Sequence, residues 1–238
     1  MSRMFPGVRT WSPATGCTHG CPYCSARIRT LPRLKNNPKY AFGFDPVIHP
    51  RILQKGPPAA ETIFLCYMGD LFCSGFSMKD IDSVIDRCMH VPRERVGSFL
   101  LMTKNPARYL EFLENCPDVA QDGRFIFGST IETNRNLEYI PRTVPAPVDR
   151  LKALSELRNI YKSLRIAVSM EPILDFDPEM MGTELTSIGP ETVWIGFDNY
   201  NLVPKELEPS WQKALNFMAH LRTIGINVIE KTIRKEFP

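Results

Sequence analysis

The sequence predicts an α/β protein built on an open sheet of parallel strands, and three observations predict it. Short runs rich in β-branched and aromatic residues recur along the 238-residue chain, and longer stretches of helical spacing separate them. Six strand–helix units can be read, fewer than the eight of a closed barrel. Polar residues recur just past the apolar runs, where parallel α/β folds place their chemistry. Successive parallel strands need right-handed crossovers, so the units wind in one sense.

The strands are predicted at residues 8–11, 62–68, 98–103, 125–131, 165–170 and 192–197. A helix over 80–90 follows from apolar Ile81, Val84, Ile85 and Cys88, with Ser77 as its cap. Pro106 opens a helix over 106–115, since proline suits a first turn. Residues 149–163 place Leu151, Leu154, Leu157, Ile160 and Tyr161 on one stripe. Residues 209–224 do the same with Trp211, Leu215, Met218 and Leu221, and Gly225 ends the helix. Residues 36–60 carry five prolines (38, 46, 50, 57 and 58) and read as an irregular insertion, too long for an ordinary connection. Either it is a lid or substrate-binding loop, or it wraps the open side of the sheet. With no repeat and no low-complexity tract, the chain reads as one domain over 1–238.

Hydrophobic residues make up 43% of the chain, enough for a core. No stretch approaches the ~18 apolar residues of a membrane span, so no membrane role is expected. The net charge of +3 hides an asymmetry. Residues 1–60 hold nine Lys/Arg and one acid, Asp45, giving +8 against −5 for the remainder. Such a segment can face phosphates; alternatively it compensates an anionic cluster and otherwise faces water. Arg3 and Arg9, with no apolar run beside them, argue against a signal peptide. Seven cysteines without a secretory context then indicate a reducing compartment, the cytoplasm.

Three of those cysteines share one short segment, Cys17-Thr18-His19-Gly20-Cys21-Pro22-Tyr23-Cys24. The spacing is C-x3-C-x2-C, with an aromatic before the third cysteine. Three thiolates can hold three corners of a [4Fe–4S] cube and leave one iron open. A zinc knuckle is the rival. It would need a fourth ligand, for which His19 or His49 is available, but zinc sites usually come as C-x2-C pairs and a second pair is absent.

The cysteine segment resembles the C-x3-C-x-aromatic-C motif of the radical S-adenosylmethionine superfamily. The resemblance implies a (β/α)6 partial TIM-type barrel with parallel strands. It also implies a [4Fe–4S] cluster held by Cys17, Cys21 and Cys24, with S-adenosylmethionine on the open iron. In that family one electron cleaves the cofactor to methionine and a 5′-deoxyadenosyl radical, which abstracts hydrogen from a substrate. The electron would come from a flavodoxin- or ferredoxin-like donor. No second cluster motif is visible, which argues against members that attach sulfur with an auxiliary cluster.

On that reading the residues past each strand acquire roles. Gly69-Asp70 resembles the superfamily's Gly-Gly-Glu motif, with Met68 and Asp70 as departures. The glycine would let backbone approach the methionine moiety and the acid would accept from its ammonium. Lys104 would pair with the cofactor carboxylate or a substrate phosphate; otherwise it is a surface lysine ahead of a helix. Ser129, Glu132 and Asn134 suit ribose hydroxyls, and Glu132 could instead face substrate. Glu171, ahead of Pro172, is costly at the end of an apolar strand unless paired, with Lys104 or Lys231 as partner. Asp198 and Asn199 would face substrate in the same cavity, and Tyr23 would pack on the adenine.

Blocks at 16–24, 44–49, 63–72, 101–106, 128–134, 168–174 and 193–199 resemble, in combination, one subgroup. It comprises phage- and prokaryote-encoded radical S-adenosylmethionine proteins distantly related to spore photoproduct lyase. Of the other cysteines, Cys66 and Cys88 read as core. Cys73 lies near the expected cavity and is either a hydrogen-atom donor or an inert thiol. The reading is thus an enzyme acting on a nucleic acid or nucleotide, with a peptide or small metabolite as runner-up. Its non-enzymatic rival is a zinc-stabilised nucleic-acid-binding module.

Overall fold

A computed structural model describes residues 8–232. Arg3, counted among the early cations, lies outside the described residues. The elements in chain order are β1 (Val8–Trp11), β2 (Ala14–Thr15), β3 (Val47–Ile48), α1 (Pro50–Lys55), β4 (Ala60–Leu65), α2 (Met78–Met89), β5 (Val96–Thr103), α3 (Ala107–Asn115), α4 (Pro117–Gln121), β6 (Phe125–Thr130), α5 (Pro147–Ile160), β7 (Arg165–Met170), α6 (Pro178–Ile188), β8 (Thr192–Ile195), α7 (Trp211–Thr223) and β9 (Val228–Glu230).

Seven strands form one sheet in the order β1-β4-β5-β6-β7-β8-β9, every neighbour parallel. Each new strand joins beside the previous one, and the sheet curls into a half-barrel, as the family resemblance implies, with seven strands where six are predicted. Side chains alternate between its faces. Ile63, Leu101, Phe127, Ile166, Val168 and Val193 face the helices in the main core. Phe64, Leu100, Ile126, Ala167 and Trp194 cluster on the other, concave face.

The helices obey their caps. Ser77 accepts from Asp80 N at 3.2 Å, and the Asp80 carboxylate accepts from Ser77 N at 2.9 Å, a reciprocal capping box. Ile81, Val84, Ile85 and Cys88 of α2 are fully buried against the sheet, as their spacing predicted. Each such aliphatic side chain contributes about 1.5–3 kcal/mol of burial.

Beyond the short pieces β2, β3, α1 and α4, the sequence does not announce two elements. In α6 the apolar stripe is interrupted by Gly182, whose added Cβ would lie 3.3 Å from His220 Nε2 of α7. The signals were terminal instead: Asp177 accepts from Met180 N at 3.0 Å, Pro178 opens the helix, and Gly189 ends it at φ +58°. The other is β9, whose three residues are too few to show a period. The strand predicted over 62–68 stops at Leu65, because Cys66 turns the chain in a left-handed conformation at φ +54°. The insertion at 36–60 contains a short turn of helix (Pro38–Tyr40), β3 and α1. Strand β3 pairs antiparallel with β2 and ties the insertion to the chain leaving β1.

Candidate functional site

The C-terminal ends of the strands open on a cavity of about 1660 Å³. Strand alternation decides what reaches it. Phe64, Met102, Thr130, Ser169 and Glu171 share the inward parity and line the wall. The segment carrying Cys17, Cys21 and Cys24 lines the cavity from β1's side, and all three thiols are free.

Backbone contacts fix that segment. Gly16 N donates to Met68 O at 2.9 Å, and Asp70 N donates to Gly16 O at 3.1 Å. A Cβ on Gly69 would meet Gly16 O at 2.5 Å. Gly69 lines the cavity, and the backbone that approaches it closely is that of the cysteine segment. Cys17 N donates to Phe44 O at 2.9 Å, so the 36–60 insertion buttresses the loop and presents Phe44 to the cavity. Two sulfurs accept backbone N–H groups: Cys17 Sγ from His19 N and Cys24 Sγ from Arg27 N, both at 3.4 Å.

The donor set fits a multi-iron cluster. A tetrahedral zinc with bonds of ~2.3 Å would draw its thiolates within ~3.8 Å of one another. Among the described residues, the group of three metal-binding atoms lying within 4.8 Å is Cys17, His19 and Asp70, not the three cysteines. A cube accepts each thiolate on a different iron, and N–H groups directed at the sulfurs are a known tuning device for such clusters. His49, the other zinc candidate, shares a 2.7 Å hydrogen bond with Thr15 Oγ1 and does not line the cavity.

Asp70 is buried and its oxygens are occupied. Oδ2 meets His19 Nε2 at 2.9 Å, Thr103 Oγ1 at 3.0 Å and Lys104 N at 2.9 Å, while Oδ1 accepts from Phe72 N at 3.0 Å. Burial pushes its carboxyl up, but the His19 contact and these donors outweigh it and hold it below the usual range. This geometry makes Asp70 an anchor between the cysteine loop and β5.

A second buried network lies beneath Tyr23. Its hydroxyl donates to Glu132 Oε1 at 2.5 Å, and Lys104 Nζ pairs with the same oxygen. Arg150 Nη1 of α5 donates to Glu132 Oε2 at 2.7 Å. Burial would raise the Glu132 carboxyl, yet Arg150 and Lys104 hold it at about 2. Lys104 also lies 5.0 Å over the Tyr23 ring, and Tyr139 packs on that ring with centroids 5.8 Å apart.

The remaining sequence candidates divide. Ser129 has outward parity and is fully buried, donating to Thr103 O at 2.9 Å. Asn134 bridges to Asp177, accepting from its N at 2.9 Å and donating to its O at 3.0 Å. Neither lines the cavity; Thr130 does, and strand alternation from Gly128 would have found it. Asp198 lines the wall, but its carboxylate accepts from the backbone of Tyr200 and Val203 at 2.9 Å each and from Leu202. Asn199 is exposed at the rim. Glu171 is held above the usual carboxylate range by burial, with Lys231 opposing, and its Oε2 has no hydrogen-bond partner among the described residues. Ser169 and Lys231 also reach the cavity and were missed as site residues. Cys73 is fully buried and absent from the cavity wall, its thiol beside that of Cys17. Cys66 and Cys88 are buried core, as read.

Among solved structures, the fold resembles a radical SAM methyltransferase from Sphaerobacter thermophilus, with TM-score 0.58 and 15% identity over 97% of this chain and 68% of that one. It also resembles Streptococcus suis SuiB bound to S-adenosylmethionine, with TM-score 0.55 and 12% identity over 98% of this chain and 48% of that one. The chain thus spans about half of SuiB. No curated protein matches the sequence. A family profile described as "Protein of unknown function (DUF5131)" matches residues 7–216. The chain, with the fold of radical SAM enzymes of known structure, belongs to the DUF5131 family.

Proposed function

We propose that this chain is a radical S-adenosylmethionine enzyme that binds a [4Fe–4S] cluster through Cys17, Cys21 and Cys24. The observation that carries the reading is a single one: three free thiols, spread too widely for one ion, line the cavity at the C-terminal mouth of a parallel half-barrel. When bound, the cluster with S-adenosylmethionine on its open iron would supply one-electron cleavage and a 5′-deoxyadenosyl radical for hydrogen abstraction.

The chain's own residues bind, orient and exclude water. Lys104 keeps 16% of its side chain exposed and offers the cofactor carboxylate a cation. Thr130 and Ser169 offer hydroxyls to the ribose from the wall. Phe64, Tyr67, Met102 and Phe197 keep much of the wall apolar. Thr18, Gly20 and Pro22 expose the outer side of the cysteine loop, where a flavodoxin- or ferredoxin-like donor protein can approach.

Anaerobic purification and reconstitution test the reading. The expected product is a brown protein with about four irons and four sulfides per chain that forms 5′-deoxyadenosine when reduced. A protein that takes up iron yet never cleaves S-adenosylmethionine would sink the catalytic half. The Cys17–His19–Asp70 group supports a second reading, a zinc-stabilised nucleic-acid-binding module that is colourless and holds one zinc.

A further inference from the structure

The cavity mouth continues into a rim whose composition is one-sided. Residues 26–44 carry five cations, Arg27, Arg29, Arg33, Lys35 and Lys39, and no acid. Arg27, Arg29 and Lys39 donate to the backbone carbonyls of Cys17, Tyr200 and Ser12 at 3.0, 2.9 and 2.8 Å. These partners are neutral, so they fix the side chains in place without cancelling their charge. Arg33 and Lys35 are exposed beside them. Large apolar side chains stand in the same strip: Phe42 is 69% exposed, Tyr200 46% and Ile28 39%. The Arg29–Tyr200 bond brings the strip against the 198–203 loop, and Ser25, Ala26, Phe44 and Tyr200 carry it over the lip into the cavity wall.

We infer that this rim is a track for a single-stranded nucleic acid, which delivers one nucleotide into the cavity. The inference rests on the proposed function and names its substrate class. Cations at fixed positions match a phosphodiester backbone, and the exposed rings of Phe42 and Tyr200 along the same rim match unstacked bases. An anionic membrane surface would match the cations but calls for a continuous apolar helix face. The strip's helical pieces are turns of five, four and three residues, and its exposed apolar groups are scattered.

Fluorescence anisotropy with labelled single-stranded DNA and RNA of about 20 nucleotides, longer than common single-strand sites, tests the inference on the full chain. Binding should weaken with salt. Arg33→Ala with Lys35→Ala should reduce the slope of log K against log salt by about 1.4, two phosphate contacts' worth. Phe42→Ala should weaken binding roughly 10-fold with the slope unchanged, because stacking carries no counterion. Circular dichroism confirms that these surface variants fold. Absent binding, salt-independent binding, variants that bind like the parent, or equal affinity for phosphatidylserine vesicles would each overturn the inference. The same measurement on cluster-free Cys21→Ala protein keeps the two proposals apart. Retained binding there supports the track even if cofactor cleavage fails, and lost binding in a folded variant overturns a track independent of the cluster.

Discussion

The hydroxyl of Tyr23, between the second and third cysteines of the loop, donates to the fully buried carboxylate of Glu132 at 2.5 Å. Glu132 follows β6, and its other oxygen is held by Arg150 from α5 on the outer layer. The cysteine loop is therefore tied to the end of the sheet's central strand through one carboxylate. Its position depends on charges that the loop itself does not carry.

Removing that charge should be expensive. Glu132→Gln leaves Arg150 buried at 1% exposure without its counter-ion. Breaking one partner of a buried pair costs about 3–5 kcal/mol. Tyr23→Phe removes one hydrogen bond to a charged group and should cost only ~1.5–3 kcal/mol. Urea midpoints of the two variants should rank in that order; equal midpoints would mean that the ion pairs contribute nothing beyond the hydroxyl.

The same carboxylate sets an acid window. Its pKa falls from an ordinary 4.5 to about 2 on folding. A depressed carboxyl contributes stability that is fully present above its unfolded pKa and is lost as pH falls through the folded one. Between about pH 4.5 and pH 2, roughly 3 kcal/mol should disappear. Asp70, also held low, changes stability in the same direction. Denaturation measured across this range should show a steep decline in the parent and a shallower one in Glu132→Gln. A parallel decline in both would remove Glu132 as its source.

Gly69→Ala tests the loop from below. The added methyl would lie 2.5 Å from Gly16 O and 2.8 Å from Gly16 N, both backbone atoms of the cysteine segment. Neither can swing aside as a side chain would, so the Gly16–Gly69 bridge should open. The expected loss is about 1–3 kcal/mol, the usual penalty for overpacking a tight site, together with reduced iron uptake. Gly123→Ala, whose methyl meets nothing within 4 Å among the described residues, is the control. It carries the strain of φ +72° without touching the loop, so iron uptake should be normal.

The fold was legible because its signals are local and periodic. Ile81, Val84, Ile85 and Cys88 are spaced for one helix face, and β-branched runs mark the strands that bury them. The cysteine spacing was legible for the same reason, since one short segment supplies all three thiols. The site's polar residues were harder. Ser129 and Thr130 are adjacent and similar, yet strand parity sends one into the core and the other into the cavity. Asp198 and Asp70 stand past the ends of β8 and β4, in the segments where polar residues were expected. Their carboxylates meet partners that come from other segments or lie past a turn, such as His19, Lys104 and Val203, and no local pattern announces these. Lys231 follows β9, a strand too short to read, and so it was weighed only as a partner for Glu171.

The two metal readings make opposite predictions for Cys21. A cluster on Cys17, Cys21 and Cys24 needs all three thiolates, so Cys21→Ala should abolish iron and sulfide uptake. A single ion on Cys17, His19 and Asp70 does not use Cys21, whose thiol lies outside that 4.8 Å group, so zinc content should be unchanged. His19→Ala inverts the comparison: it removes a zinc ligand and leaves the three thiolates intact. It also strips Asp70 of a partner, so iron uptake is read only in protein that melts within a few degrees of the parent. Cys73→Ala serves as the third arm, because its thiol lies beside that of Cys17 but lines no cavity wall. Iron retained in Cys73→Ala and His19→Ala but lost in Cys21→Ala identifies the cluster. Zinc retained in Cys21→Ala and lost in His19→Ala identifies the single ion and ends the radical reading.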